Sequence, residues 1–73
     1  MIPTIVHSFA DEIGFWHGVG PRDILSRSRR PHIAAARADV MRRLRSRGFT
    51  TNQIGRWLER DHSTVVYHTS RHP

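Results

Sequence analysis

The sequence predicts an all-α fold, a compact bundle of about five helices containing a helix-turn-helix, with residues 1–73 read as a single domain. Three observations lead there. Apolar residues recur at spacings of three and four along most of the chain, while the strict alternation of a half-buried strand is almost absent. Helix punctuation is dense: Ser8, Pro21, Thr50 and Asp61 suit helix starts, and Gly18, Gly20 and Gly48 suit ends. The length of 73 residues limits burial to about 60% of the unfolded surface, so short helices must share one small core.

Taken in order, Ser8 is expected to cap a first helix, FADEIGFWH, with Asp11 and Glu12 in the first turn where the helix dipole favours negative charge. Phe9, Ile13 and Trp16 fall on one face of it. Pro21 then opens a short second helix, PRDILSRS, with Ile24 and Leu25 turned inward. Arg22, Arg27, Arg29 and Arg30, interleaved with serines, make a basic connector that Pro31 closes. From His32 to about Arg47 a long third helix carries the stripe Ile33, Ala36, Val40, Met41 and Leu44, with Arg42, Arg43, Arg45 and Arg47 opposite. Thr50 and Gln53 form a capping-box pattern before Ile54, Trp57 and Leu58. After Glu59 and Arg60, Asp61 is placed to cap a fifth helix, HSTVVYHTSR, anchored by Val65 and Val66, with Arg71 to Pro73 expected to fray. Two short helices joined by a tight turn, the second opening on polar residues, is the helix-turn-helix plan.

Composition narrows the class of function. No cysteine is present, which removes disulfides and thiolate metal sites. The opening MIPTIVHSF has no basic n-region and too short an apolar run for a signal sequence or a membrane span, so a cytoplasmic location is expected. Twelve basic residues against six acidic ones give a net charge of +6, and every basic residue is Arg. The planar guanidinium fork matches phosphates and guanine edges, so this usage leans toward phosphate-rich partners, although a GC-rich genome also produces it.

The stretch RDHSTVVYH sets Asp61, His62 and Ser63, the letters of a hydrolase triad, side by side. Successive helical residues point about 100° apart, so the three cannot converge on one reacting atom, and no enzymatic role is expected. His68 and His72 stand four apart like two metal ligands, but nothing completes a set, and neither metal nor other cofactor is expected. The arginine face of the third helix could lie on an anionic membrane, yet its alanines contribute too little transfer energy for insertion. Phe15, Trp16, Phe49 and Trp57 could stack on single-stranded bases, but their helical spacing favours core packing.

Ile54 to Val66, IGRWLERDHSTVV, resembles the signature of the DNA-binding domain of the bacterial replication initiator DnaA, where Ile-Gly precedes a basic residue and Asp-His-Thr-Thr-Val. Upstream, LSRSRRPHIAAAR looks like that family's basic loop and the start of its long helix, and IGFWHGVGPRDIL like its preceding helix pair, so nearly the whole chain is covered. The resemblance implies a Trp-repressor-like helix-turn-helix. It also implies roles: Arg29 enters the minor groove, Asp61, His62, Ser63 and Thr64 meet base edges in the major groove, and Arg37, Arg45, Thr51 and Asn52 lie near the DNA backbone. Arg60 and Tyr67, flanking the recognition tetrapeptide, complete the expected DNA-binding set. Asp can accept from a cytosine amino group, Thr can touch a thymine methyl, and an arginine gains from the negative potential of a narrow A·T-rich minor groove.

The sequence departs from the family at Tyr67 and His68, where His and Ala are usual, at Ser63, which replaces the first Thr, and in the turn before Arg60, which lacks the family's glycine. A phosphate-binding Gly-x-x-x-x-Gly-Lys motif is absent, so origin melting by this chain alone is not expected. The implied function is sequence-specific binding of double-stranded DNA at DnaA-box-like sites, as a regulator of transcription or of replication initiation in a bacterium or phage. The alternative is an adaptor that keeps the fold and contacts, or competes with, the replication initiator.

Overall fold

The computed structural model describes residues 1–70. Five helices follow one another: α1 (Thr4–His17), α2 (Pro21–Ile24), α3 (Pro31–Ser46), α4 (Thr51–Leu58) and α5 (His62–Ser70), and no strand occurs among the described residues. The core is built on α3, whose Ile33, Ala36, Val40, Met41 and Leu44 are all buried as their period requires. Helix α1 packs along one side of it, while α4 and α5 pack on each other and close the other side. Val6, Phe9 and Ile13 of α1, Ile24 of α2, Ile54 and Leu58 of α4 and Val65 of α5 complete one cluster.

Helix α1 begins earlier than its sequence suggests. Pro3 rather than Ser8 precedes the first turn, and its carbonyl accepts the Val6 N–H at 3.0 Å. The reason is the stripe itself: it starts at Val6, fully buried, and runs through Phe9, Ala10 and Ile13, so Ser8 lies inside the helix on its exposed side. The stripe then continues to Gly14 and the half-buried His17, which leaves Trp16, expected in the core, 77% exposed beside an equally exposed Phe15. Those two rings pack edge to face, 5.4 Å apart. The other aromatic pair, Phe49 and Trp57, does pack against the core, edge to face at 5.1 Å.

Gly18 ends α1 at φ 68°, and the Val19 N–H returns to the Gly14 carbonyl at 2.8 Å. A Cβ on Gly14 would lie 2.3 Å from the Val19 carbonyl oxygen, so this doubling-back needs glycine. Helix α2 is a single turn with Pro21 at its start. It stops at Ile24 instead of running on through the serines, because the carbonyls of Asp23, Ile24, Ser26 and Ser28 accept from the Arg37 guanidinium.

The capping box at α4 forms as its residues predict: Thr50 Oγ1 accepts from the Gln53 N–H at 3.1 Å, and Gln53 Oε1 accepts from the Thr50 N–H at 2.9 Å. Helix α5 is anchored by Val65 alone, fully buried; Val66, expected beside it, is 36% exposed because successive helical residues diverge by about 100°. Among the described residues no helix is long and apolar enough to cross a membrane.

Candidate nucleic-acid interface

The turn between α4 and α5 is made by backbone geometry. Glu59 adopts the left-handed conformation, φ 52° and ψ 48°, where a glycine is usual, and the Arg60 N–H then reaches the Gly55 carbonyl at 2.8 Å. Gly55 permits the close approach: a Cβ there would lie 2.8 Å from the Arg60 carbonyl oxygen and 3.6 Å from a Val65 methyl. The glycine of the Ile-Gly pair thus fixes how tightly the second helix folds back on the first. The sequence held the signal, a glycine inside an apolar helical pattern, but not the partner it makes room for.

Asp61 stands immediately before α5, and its carbonyl accepts from the N–H groups of Thr64 at 3.0 Å and Val65 at 3.2 Å. The expected side-chain cap is not made: among the described residues the Asp61 carboxylate accepts no hydrogen bond. Asp61, His62 and Ser63 are exposed, and Thr64 is half-buried. His62 Nε2 lies 2.8 Å from Thr51 Oγ1, joining the first turns of α5 and α4. Asn52, beside Thr51, is exposed, and Tyr67, one turn along α5 from Ser63, is 54% exposed with its ring against His68. Arg45 is exposed at the far end of α3 and donates to the Phe49 carbonyl at 3.2 Å, across the turn into α4.

Facing the start of α5 is the basic loop, residues 25–30. Arg27, Arg29 and Arg30 are exposed. Arg27 reaches Glu59 at 3.4 Å, an exposed pair of small energetic weight. Among the described residues the Arg29 guanidinium makes no hydrogen bond or ion pair. Between loop and helix runs a groove of about 450 Å³ lined by Arg27, Arg29, Arg60, Asp61, Thr64 and His68. Arg29, Asp61 and Thr64, far apart in sequence, thus flank one depression, while His62 and Ser63 are exposed outside it.

Two residues expected to meet DNA are engaged elsewhere. Arg37 is 4% exposed, and its guanidinium donates to the carbonyls of Ile24 (2.7 Å), Ser26 (3.0 Å), Ser28 (3.0 Å) and Asp23 (3.2 Å). Four of its five N–H donors are thus taken by the main chain, and its burial keeps the guanidinium from the surface. Arg60 donates to the Ser26 carbonyl at 2.9 Å and the Glu59 carbonyl at 3.1 Å. Burial, and then the charge of Arg60, hold Arg37 below the usual guanidinium range; burial, and then Arg27 and Arg29, do the same for Arg60 against the opposing pull of Glu59. The arginines at the end of α3 and just past it are also partly occupied: Arg42 pairs with Asp39, and Arg43 and Arg47 lie over the Phe9 ring at 5.3 and 5.4 Å. Arg27 and His68, outside the expected set, line the groove; for Arg27 its place in the serine-interleaved connector was the available signal. His72, paired with His68 in the two-histidine metal reading, lies outside the described residues.

No curated protein and no solved structure matches the chain. A family model, the bacterial DnaA protein helix-turn-helix, matches residues 4–71, close to the whole of the 73. With five helices, a capped α4, a tight turn and an exposed α5 start in place, the chain belongs to the bacterial DnaA helix-turn-helix family of DNA-binding domains.

Proposed function

We propose that residues 1–73 act as one sequence-specific reader of double-stranded DNA at DnaA-box-like sites, regulating transcription or replication initiation without nucleotide hydrolysis. The observation that carries this reading is the shared groove: Arg29 stands on one side and Asp61 and Thr64 on the other. In this reading Arg29 enters the minor groove while Asp61, His62, Ser63 and Thr64 face base edges in the adjacent major groove. Thr51, Asn52 and Arg45 lie toward the backbone of the same duplex, and Tyr67 extends the contact along α5. Arg37 and Arg60 support the loop instead of touching phosphates. If about four to six phosphates are neutralised, the log–log salt slope is about −4 to −5. Selection from a random duplex pool tests the claim: an enriched motif whose discrimination at one base pair falls by about 1–3 kcal/mol in Asp61→Ala is expected. A pool that yields no motif ends it.

A second reading, an adaptor for the replication initiator, draws on one observation. Phe15 and Trp16 are each 77% exposed, and Trp16 lines a different groove, with His17, Asp39 and Arg42. On that reading, replacing both aromatics by Ala abolishes capture of the initiator and leaves the selected DNA motif unchanged; unchanged capture removes it.

A further inference from the structure

The Ser26 carbonyl accepts from two guanidiniums at once, Arg37 Nη2 at 3.0 Å and Arg60 Nη2 at 2.9 Å. One donor comes from the middle of α3 and the other from the turn of the helix-turn-helix. We propose that Arg37 and Arg60 are positioning residues that lock the basic loop to the recognition helix through this carbonyl, presetting the separation between Arg29 and Asp61 before any duplex arrives. This rests on the DNA-reading function above and assigns the residues that set its geometry.

The loop's other outside contacts are weaker or lie at its edge: Arg27 reaches Glu59 at 3.4 Å as an exposed pair, and Leu25 packs against the core where the loop begins. Its exposed arginines have no apolar side chain to bury, and its internal bonds are local: the Ser28 N–H donates to Ser26 Oγ at 3.1 Å and the Arg30 N–H to Ser28 Oγ at 3.3 Å. Those bonds shape the loop but tie it to nothing. Arg37 ties it to α3 through four carbonyls on residues 23 to 28, and Arg60 ties it across 34 residues of sequence to the turn next to Asp61. No carboxylate pairs with Arg37, and Arg27 and Arg29 stand near Arg60 against the opposing pull of Glu59, so cations outnumber carboxylates around one groove. Phosphates of a bound duplex would offset that excess. A two-part reader gains from a rigid spacer because the second contact then forms without a further ordering cost.

The test is a double-mutant cycle with Arg60→Ala, a half-buried position whose loss leaves the core intact, and Arg29→Ala, on the duplex that the wild type selects. Arg60→Ala is expected to weaken binding about five- to tenfold in the wild-type background and less than about twofold when Arg29 is already Ala, because the lock acts through Arg29. Backbone order parameters of residues 26–30 in the DNA-free protein should fall in Arg60→Ala, with the thermal midpoint reporting that the variant is folded. If the loop order is unchanged, or if the two losses multiply, the lock is overturned while the DNA-reading function stands. If the wild type selects no duplex, that function fails and the lock fails with it. Arg37→Lys provides the second variant: a single ammonium cannot span four carbonyls, so loop order falls there too, and full retention would count against the proposal.

Discussion

The basic loop, residues 25–30, and the turn at Glu59 and Arg60 are both short irregular segments that lead into a helix, and they are held by opposite means. The turn is fixed from within, by a left-handed Glu59, an Arg60 N–H on the Gly55 carbonyl and a glycine that lets two helices touch. The loop is fixed from outside, by guanidiniums that belong to other elements. A turn built on backbone geometry is rigid wherever its few special residues are present. A loop held by borrowed donors is only as rigid as its most distant arginine.

The largest effect expected from breaking this comparison comes from Arg37→Ala. It removes a donor from each of four carbonyls, that of Ser26 keeping its bond from Arg60, and opens a void beneath the loop, a loss of about 3 kcal/mol that thermal unfolding would record as a marked fall in midpoint. An unchanged midpoint would mean that the loop supports itself. On the turn side, Gly55→Ala forces a methyl to within 2.8 Å of a backbone oxygen and is expected to cost about 1–3 kcal/mol, measurable by urea titration. Its damage should centre on the packing of α4 against α5, with the loop amides keeping their exchange protection.

Glu59→Gly sharpens the contrast with a gain. It relieves the left-handed strain of a residue with a Cβ, partly offset by unfolded-chain entropy, for a net of roughly 0.5–1 kcal/mol and a rise of a few degrees in midpoint. A fall instead would show that the Arg27–Glu59 pair matters more than an exposed pair at 3.4 Å ordinarily does.

The smallest expected effect is a pH dependence that the loop lacks. Desolvation alone would raise the Asp39 carboxyl, but hydrogen bonds and charges from His17 and Arg42 outweigh it and hold it below the ordinary carboxylate value. The folded protein therefore takes up this proton at lower pH than the unfolded chain does. The stabilisation is complete above the unfolded value of about 3.9 and is lost as pH falls through the folded one. The midpoint difference between wild type and Asp39→Asn should shrink over that window. Carbonyl acceptors do not titrate there, so loop order should persist; a loop that loosens together with the His17–Asp39 contact would erase the distinction.

What the sequence revealed follows the same divide. The capping box at Thr50 and Gln53, the stripe on α3 and the Ile-Gly to Val signature are local patterns, and each needs only neighbours within a few residues. Ser8 is a good cap in isolation, but the buried stripe already begins at Val6, so α1 starts before it. A spacing of three from Ile13 points Trp16 inward, and the drift of the stripe toward His17 carries it outward. For Arg37 and Arg60 no local pattern could have served. Their acceptors are main-chain oxygens in a distant loop, and a carbonyl has no letter in the sequence. An arginine in a basic protein reads as a hand held out to phosphate until the fold shows what it grips.

The doubly held oxygen of Ser26 belongs to the peptide backbone, so the anchorage does not depend on which side chains decorate the loop. The tip can therefore be rewritten: Arg27, Arg29 or Arg30 can be exchanged, by drift or by design, without dismantling the mounting beneath them. A scaffold of this kind can acquire a new target preference by altering its probes one at a time, each step starting from a molecule that still folds.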